Sequence, residues 1–579
     1  MTAAMRTYGR VSYDLKHDQW RIEEVEPHVA IRLKQLFPRI PKEKSAPFRL
    51  QGTSDMAADL EWFMTRYPMD LSKADRKRLR SQSKQFFDDQ AEAERILTPK
   101  AKPLHRGGLL PGQVQRDYQA VATNLVEQVR SLMLIDDIGL GKTYEGLAVG
   151  LIPGSLPMVV VVEPHLQKQW EEKAKSYIDL RVHSVKGTKP YNLPDDADIF
   201  IVKYTQLSGW VDVLSQGWVK AIVFDEVQQL RRGTESAKGT AAAAICNNVE
   251  IRVGMTATTI YNYGIEIFNI ADMIRPGCLG TRSEFIREWC TTDNAGKGIV
   301  KDPSALGMYL REIHMVLRRS KADVGQEARQ LKPDLQWVEP NQKMVEDSED
   351  LAASLAMTAL TGDFKSAGAA SRDFDMKMRE MTGIAKARSV AAYVKMVVES
   401  GQKVLLFGWH REVYRIWAEE LADLNVSWYT GSESPAQKAQ SKEDFINGDA
   451  QVLVMSLRSG AGTDGIQHCC STVIFGELDW SPQIHKQCVG RLDRDGQLEE
   501  VFVIYVVTNY GSDPVIIDMQ GLKSGQNQGI ADPGKDEGSH QQAPDRIKTL
   551  AKSYLKSQGY KVPARPENVA SVGEQVALL

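Results

Sequence analysis

Short apolar runs alternate with helical patterns over residues 1–70. Two pairs of apolar residues, each spaced two apart, indicate half-buried strands: Trp20 with Ile22, and Phe48 with Leu50. Apolar positions at helical spacing indicate two helices: one around Val29, Ile31, Leu33 and Leu36, and one over Leu60–Met64. The pattern therefore predicts a small α+β module at the start of the chain.

A charged helical linker is predicted over residues 71–106. Its first part concentrates basic side chains: Lys73, Arg76, Lys77, Arg78, Arg80 and Lys84. A solvated helical face is the simpler interpretation of such a run, and a DNA-facing patch is the alternative. Glycines and prolines around Gly107 and Pro111 then mark a domain boundary.

From residue 107 to 264, short apolar runs alternate with polar turns and helical patterns. The runs are strand candidates: Leu132–Ile135, Val159–Val162, Ile199–Val202, Ala221–Phe224 and Ile251–Gly254. Continuous apolar strands that alternate with helices are typical of a parallel sheet covered by helices on both faces.

Residues 265–385 lose this alternation and are predicted to be helical insertions. Strand candidates return over residues 386–518: Val404–Phe407, Val452–Met455, Val473–Phe475 and Val501–Val507. Residues 519–545 are rich in Gly, Gln, Ser and Asp and are predicted to be a flexible linker. Residues 546–579 are predicted to hold a short helix and a tail. The predicted fold class is α/β, with two tandem parallel-sheet lobes.

Composition narrows the function classes only slightly. The 579 residues suggest roughly three to five domains, and 42% hydrophobic and 25% charged residues are ordinary for a globular protein. The net charge of −3 does not indicate a nucleic-acid partner, so any such site must be a local basic surface.

The cysteines and the N-terminus favour an intracellular protein. None of the six cysteines forms a C-x-x-C pair, which disfavours a zinc site, and a disulfide framework is unexpected in so long a chain. The N-terminus lacks the apolar region of a signal peptide, and the apolar runs are too short to span a membrane. We expect a protein that is not secreted and is cytoplasmic, or nuclear in a eukaryote.

The strongest local motif is DDIGLGKT, over Asp136–Thr143. It follows a predicted strand and precedes a predicted helix, which is the setting of a phosphate-binding loop. Gly139 and Gly141 allow backbone N–H groups to approach phosphate oxygens, and the helix directs its positive end at the anion. Lys142 is expected to reach the β- and γ-phosphates, and Thr143 to bind Mg²⁺.

An acidic pair supports an ATP site. Asp225 and Glu226 follow the strand candidate Ala221–Phe224, at the end that faces the ligand crevice of a parallel sheet. Asp225 is expected to bind Mg²⁺, and Glu226 to orient and polarise the attacking water. ATP and Mg²⁺ are the predicted substrate and cofactor.

These motifs resemble those of the superfamily 2 ATPases, and specifically the Swi/Snf-type DNA translocases. The loop is similar to the family's DEMGLGKT, which also has Asp at position 136, and LRRSKADV, from Leu317 to Val324, is similar to LRRTKEDV. QRDYQ with Gln119 resembles the Q motif that recognises adenine. DEVQ departs from DEAH or DEGH at Gln228. The resemblance implies RecA-like lobes.

The second lobe continues the resemblance. ELDWSPQIHKQCVGRLDRDGQ is similar to DLPWNPGVHEQAxxRxHRIGQ, and SLRSGAGTDGI falls at motif V with altered glycines. TGIAKARSVAAYV, FGELDWSP and, more loosely, residues 1–70 resemble the annealing-helicase branch with its HARP module. Arg491 and Arg494 are three apart, which on one helical turn directs both the same way, and a guanidinium from this motif stabilises charge on the transferring phosphoryl group.

The resemblance assigns further residues by motif. The ATP-binding set is Gln119, Asp136, Gly139, Leu140, Gly141, Lys142 and Thr143, and the catalytic set is Lys142, Glu226, Arg491 and Arg494. The implied residues that couple ATP to DNA are Gln228, Thr256, Thr258 and Gln487, although strand-end capping is the plainer role of the threonines. The implied DNA contacts are His165, Gln169, Lys203, Thr205, Arg458 and Trp480, of which Trp480 is equally well a core aromatic.

The predicted function is an ATP-dependent translocase on double-stranded or forked DNA, independent of base sequence and expected to be monomeric. Three alternatives are a strand-separating helicase on DNA or RNA, a non-catalytic DNA-binding scaffold, and the motor subunit of a larger repair, defence or restriction assembly. The intact ATP motifs argue against the scaffold, and LRRSKADV argues against an RNA helicase.

Overall fold

The computed structural model describes thirteen stretches of the chain, namely 6–37, 40–41, 43–99, 101–256, 264–291, 298–325, 333–341, 349–361, 364–458, 464–494, 496–518, 551–552 and 554–556. The chain divides into two compact units, the first comprising residues 6–137 and 141–325, and the second comprising residues 138–140 and the described residues from 333 onward. Among the described residues, no helix has the length and apolar character needed to cross a membrane. The predicted linker 519–545 and Thr258 lie outside the described residues.

The N-terminal module is a three-stranded antiparallel sheet in the order β1-β2-β3, packed against helices. Its elements are β1 (Arg10–Asp14), β2 (Gln19–Glu23), α1 (Pro27–Leu36), β3 (Phe48–Gln51) and α2 (Ser54–Arg66). The register places Val11, Ile22 and Phe48 side by side in the core. The sequence did not predict β1, because this edge strand buries only Val11.

A long helix, α3 (Lys73–Leu97), follows the module. The hydroxyl of Ser72 caps it by accepting a hydrogen bond from the Asp75 N–H at 3.0 Å. Its first half packs on the module through Leu79, and its second half packs on the next domain through Ala93. The helix therefore joins the two parts of the first unit.

The first lobe is a seven-stranded parallel sheet in the order β12-β4-β9-β8-β5-β7-β6. Its elements up to the last predicted strand are α4 (Asp117–Val129), β4 (Ser131–Leu134), α5 (Lys142–Ala148), β5 (Met158–Val162), α6 (Gln167–Tyr177), β6 (Val182–Ser184), β7 (Ile199–Lys203), α7 (Leu207–Leu214), β8 (Ala221–Asp225), α8 (Ala237–Cys246) and β9 (Ile251–Met255). Alternate residues of β5 enter two separate cores, Val159 and Val161 in one and Val160 and Val162 in the other. Helices thus cover both faces of the sheet, as the continuous apolar runs predicted.

The segment predicted as mostly helical also contains short strands. It comprises α9 (Gly264–Ile274), α10 (Arg282–Trp289), β10 (Cys290–Thr291), β11 (Ile299–Val300), α11 (Pro303–Glu312) and β12 (Val316–Leu317). β12 pairs with β4 and forms one edge of the sheet. The prediction missed it because a two-residue strand has no detectable periodicity. Its position matters, since the LRRSKADV motif begins at its end.

The second unit contains a six-stranded parallel sheet in the order β13-β18-β17-β14-β16-β15. Its elements are β13 (Pro333–Trp337), α12 (Glu349–Thr361), α13 (Phe364–Glu399), β14 (Val404–Gly408), α14 (Arg411–Glu420), β15 (Val426–Tyr429), α15 (Pro435–Asn447), β16 (Val452–Ser456), β17 (Thr472–Phe475), α16 (Pro482–Val489) and β18 (Phe502–Val507). The predicted strands correspond to β14, β16, β17 and β18, whereas the edge strands β13 and β15 were not predicted.

A buried ion pair ties α13 to the end of β18. The Lys386 ammonium lies 2.6 Å from a carboxylate oxygen of Asp513 and donates to the Val506 carbonyl at 2.7 Å. The same carboxylate accepts from the Thr508 N–H at 3.1 Å. Of the predicted C-terminal helix, residues 551–552 and 554–556 are described and helical, and Leu555 is buried in the core of this unit.

Candidate nucleotide-binding site

The loop after β4 has the backbone that a phosphate cradle needs. Gly139 and Gly141 have φ values of +94° and +80°, a conformation that favours glycine, and α5 begins at Lys142. A Cβ on Gly141 would lie 2.8 Å from Nε2 of Gln119. Position 141 therefore requires glycine both for its backbone conformation and for lack of space. The buried Gln119 of the Q motif lies directly beside it. Leu140 is buried.

Lys142 is held within this loop. Its ammonium donates to the carbonyl oxygens of Asp136 at 2.6 Å and Asp137 at 3.1 Å. Its helix, α5, begins at the carboxyl end of the same parallel sheet in which β8 carries the acidic pair. Thr143 follows at the start of α5 and is partly exposed.

The acidic pair lies at the carboxyl end of β8, which is separated from β4 by one strand. Burial, followed by repulsion from Glu226, raises the pKa of Asp225 to about 7. The indole N–H of Trp170 donates to its carboxylate at 2.8 Å, and the Tyr204 hydroxyl donates to its carbonyl at 2.8 Å. Glu226 has a left-handed backbone (φ +52°), and burial raises the pKa of its carboxyl. Asp225 is thus anchored through both its carboxylate and its backbone, and the pKa values of both carboxyls are raised.

Gln228 contacts the acidic pair directly. Its side-chain amide donates to the carboxylate of Glu226, while its own carbonyl oxygen is buried and has no hydrogen-bond partner among the described residues. Thr256 is buried at the end of β9, where its N–H donates to the Leu134 carbonyl at 3.1 Å. The structure therefore gives Gln228 a contact with Glu226 that the sequence left open.

Arg319 is a site residue that the sequence analysis did not single out. Its backbone N–H donates to Asp136 at 2.9 Å, its Nε donates to the same carboxylate at 3.0 Å, and its Nη2 lies 2.6 Å from Glu145. It also donates to the Tyr118 carbonyl next to Gln119. LRRSKADV, used above only to recognise the family, was the available signal.

Arg318 and Asp137 form a second contact between the LRRSKADV motif and the phosphate loop. Arg318 donates to the carboxylate of Asp137 at 2.7 Å, and the Asp137 N–H donates to the Arg319 carbonyl at 2.9 Å. Burial, followed by repulsion from Asp136, raises the pKa of Glu145 to about 8. Arg318 and Arg319 of LRRSKADV therefore hold the two aspartates at the start of the phosphate loop in place.

In the second unit, Arg491 and Arg494 follow α16 instead of extending it. The helix ends at Val489, so the predicted arrangement of both arginines on one helical turn is wrong. Arg491 is buried, with its guanidinium carbon 5.5 Å from the centre of the Phe407 ring, and burial lowers its pKa. Arg494 pairs with Asp464 and donates to the Gly490 carbonyl at 2.9 Å. Gln487 is partly buried within α16.

The candidate DNA contacts differ in exposure and location. In the first unit, four of them lie at or after the carboxyl ends of the neighbouring strands β5 and β7: His165, Gln169, Lys203 and Thr205. In the second unit, Arg458 is exposed beside Trp409, whose ring centre is 5.4 Å away. Trp480 is 3% exposed and its indole N–H donates to Asp375 at 2.7 Å. Its side chain is therefore a core residue, the alternative that the sequence analysis had left open.

Comparison with known proteins gives the class and then the family. Residues 57–344 match the model of the SNF2-related domain, and residues 386–496 match that of the helicase conserved C-terminal domain. Together with the loop and acidic pair, these matches define a helicase-like ATPase. The chain belongs to the SNF2-related family and is related to the annealing helicases.

Two relatives illustrate the relationship. The Drosophila melanogaster SWI/SNF-related matrix-associated actin-dependent regulator of chromatin subfamily A-like protein 1 is 26% identical over 447 residues, covering 74% of this chain and 56% of the relative. The Bos taurus DNA annealing helicase and endonuclease ZRANB3 is 22% identical over 413 residues, covering 68% of this chain and 38% of the relative. The chain thus spans about half the length, or less, of these relatives. Among solved structures, a Sulfolobus solfataricus SWI2/SNF2 ATPase core in complex with dsDNA matches at 19% identity with a TM-score of 0.35, covering 75% of this chain and 95% of that one.

Proposed function

We propose that this protein hydrolyses ATP to translocate along double-stranded or forked DNA, without recognising base sequence. One observation carries the proposal: Lys142 begins α5 directly after the loop that follows β4, and Asp225 and Glu226 lie at the carboxyl end of β8, with one strand between β4 and β8 in the same parallel sheet. A cation at the end of one strand and two carboxyls at the end of another are the groups that phosphoryl transfer to water requires.

The residues fit a magnesium nucleotide. Gly139 and Gly141 give the loop the left-handed turns that a phosphate cradle uses, and the oxygens of Thr143 and Asp225 are of the type that Mg²⁺ prefers. When bound, Mg²⁺ neutralises phosphate charge. Lys142 binds phosphate oxygens, and Glu226, held by Gln228, orients a water. From their motif, we extend to Arg491 and Arg494 the role of stabilising charge on the transferring phosphoryl group.

DNA as the partner is supported by family membership and by the names of the relatives, which refer to chromatin regulation and DNA annealing. Contacts to the phosphate backbone carry no sequence information, so binding is expected to be independent of sequence and to weaken with salt. His165, Gln169, Lys203 and Thr205 are the candidate contacts in the first unit.

The test measures ATP hydrolysis without nucleic acid and with duplex DNA, forked DNA, single-stranded DNA or RNA. We expect strong stimulation by duplex or forked DNA, and roughly a hundredfold or greater loss of kcat in Lys142→Ala and Glu226→Gln. Lys220→Ala is the matched control, since Lys220 precedes β8 at the opposite end of the sheet and donates to the Gly217 carbonyl at 3.2 Å. Stimulation by RNA or single strands alone would contradict the proposal. Displacement of a triplex-forming strand from duplex DNA then tests movement itself.

A further inference from the structure

The basic residues of α3 form one continuous face of the helix. At about 100° per residue, Lys73, Arg76, Lys77, Arg80 and Lys84 fall within an arc of about 100°. All five side chains are exposed, and the stripe ends at Phe87, which is 59% exposed. Arg78 lies on the opposite side, with its guanidinium 4.3 Å from the centre of the Tyr13 ring. Five cations therefore share a surface that the module's own packing does not use.

Few carboxylates offset this charge. Glu61 of α2 lies 3.9 Å from Arg80, and Asp88 lies 4.0 Å from Lys84. The side chains in these pairs are largely exposed, at 70% for Arg80 and 78% for Lys84, so the pairs are weak and readily exchanged. Asp75 is engaged at the helix start by the Ser72 hydroxyl at 2.8 Å. Lys73, Arg76 and Lys77 form no ion pair with any residue that the structure describes, and the face remains strongly positive on a chain whose net charge is −3.

The middle of the helix that carries this face is anchored on both sides. Gln82 accepts from the indole N–H of Trp20 at 3.2 Å and donates to the Gly52 carbonyl at 2.7 Å, which fixes α3 to the N-terminal module. Two turns further on, Gln128 of α4 donates to the Asp89 carboxylate at 3.1 Å. A helix of 25 residues is about 37 Å long. A polyanion bound along the stripe would therefore be held at a fixed position relative to the ATPase lobe.

We propose that the face formed by Lys73, Arg76, Lys77, Arg80 and Lys84 is a second binding surface for the phosphate backbone of DNA, outside the ATPase lobe. The proposal rests on DNA being the partner proposed above. A row of cations at helical spacing matches the repeating negative charge of a nucleic-acid strand, and the exposed Phe87 ring offers a surface for stacking an unpaired base.

The test compares two variants of the full chain with equal loss of charge. The first replaces Lys73, Arg76, Lys77 and Arg80 with Gln. The control replaces two lysines and two arginines elsewhere on the same module, all exposed: Lys16, Arg32, Lys44 and Arg49. None of the eight side chains is buried, so both variants are expected to fold, which circular dichroism and thermal melting check.

Binding of fluorescent duplex, forked and single-stranded DNA is titrated without ATP over a series of salt concentrations. We expect the α3 variant to bind at least roughly tenfold more weakly at low salt, and its plot of log affinity against log salt to be shallower by about 3 to 4 for duplex DNA, because each lost phosphate contact reduces the slope by about 0.9. The control should change both quantities much less. Equal changes in the two variants would overturn the proposal.

Two further comparisons separate this inference from the proposed function. Because binding is measured without ATP, the contribution of the α3 face to DNA binding can be tested even if the chain shows no DNA-stimulated hydrolysis. Conversely, the α3 variant could keep both its DNA-stimulated hydrolysis and its salt slopes. That result would overturn the second DNA-binding surface and would still agree with the translocase proposal. Phe87→Ala is expected to weaken binding of single-stranded or forked DNA and to leave duplex binding unchanged, whereas an equal loss on all three would remove the stacking role.

Discussion

At the scale of single residues, the hydrogen bond between Gln228 and Glu226 is made at the position where DEVQ departs from the family's DEAH or DEGH. A carboxylate that orients water must be held in place, and Gln228 does so with its amide from two residues away. Gln228 is therefore a positioning residue for the proposed base.

We predict that Gln228→Ala lowers kcat for DNA-stimulated ATP hydrolysis by about tenfold and leaves the KM for ATP nearly unchanged, because it affects the water and not the binding of the nucleotide. Gln228→Glu should cost more, since it sets a second carboxylate against Glu226. Steady-state kinetics give both constants. Gln229→Ala is the neighbouring control, as that side chain donates to Glu163 instead. A raised KM with unchanged kcat would contradict the assignment.

At the scale of elements, the end of β12 connects LRRSKADV to the phosphate loop. β12 pairs with β4, so Arg319 and Asp136 leave adjacent strands in parallel and meet. Arg319 is 11% exposed in its side chain, and both carboxylates that it contacts, Asp136 and Glu145, are fully buried. This geometry explains why an acidic residue can stand at position 136, where a general phosphate loop has glycine.

We predict that Arg319→Ala destabilises the first unit by about 3 kcal/mol, because two buried carboxyl groups lose their shared cation. Introducing Asp136→Asn and Glu145→Gln as well should recover part of the loss, as a mutant cycle in thermal or denaturant unfolding would show. The control is Arg181→Ala, whose side chain is 62% exposed and pairs with Asp198 at 3.2 Å; it should cost less than about 1 kcal/mol. Equal losses in the two single variants would contradict the predicted role.

At the scale of the whole molecule, each unit encloses its own sheet between two apolar cores. The exposure of the six cysteines reflects this packing. Cys246, Cys290, Cys470 and Cys488 are buried, whereas Cys278 and Cys469 are partly exposed. Burial raises the pKa of Cys246, Cys470 and Cys488 to about 12 and that of Cys290 to about 11.

We predict that a thiol reagent at pH 8 modifies at most two of the six cysteines rapidly in the native chain. The thiolate is the reactive form, and the raised pKa keeps the four buried groups protonated at pH 8 and still mostly protonated at pH 9.5. Mass spectrometry after timed labelling identifies the modified residues, and urea should make all six reactive. Rapid native labelling of Cys246 or Cys488 would show that the cores are less closed than described.

The sequence by itself determined the local features of this protein. Continuous apolar runs predicted the inner strands of both sheets, and DDIGLGKT and the acidic pair predicted a loop and two carboxyls at the carboxyl end of one sheet, because these signals depend on near neighbours in the chain. Edge strands such as β12 were missed, since short and half-buried strands have little periodicity.

Only the tertiary structure decided which distant residues meet. Arg319 and Asp136 are 183 residues apart and come together through the order of strands in a sheet, which no local pattern specifies. In the same way, packing buried Trp480, and only the structure showed that α16 ends at Val489, before Arg491. Strand order and burial are properties of the whole core, and they, more than the motifs, determine how each motif residue is held.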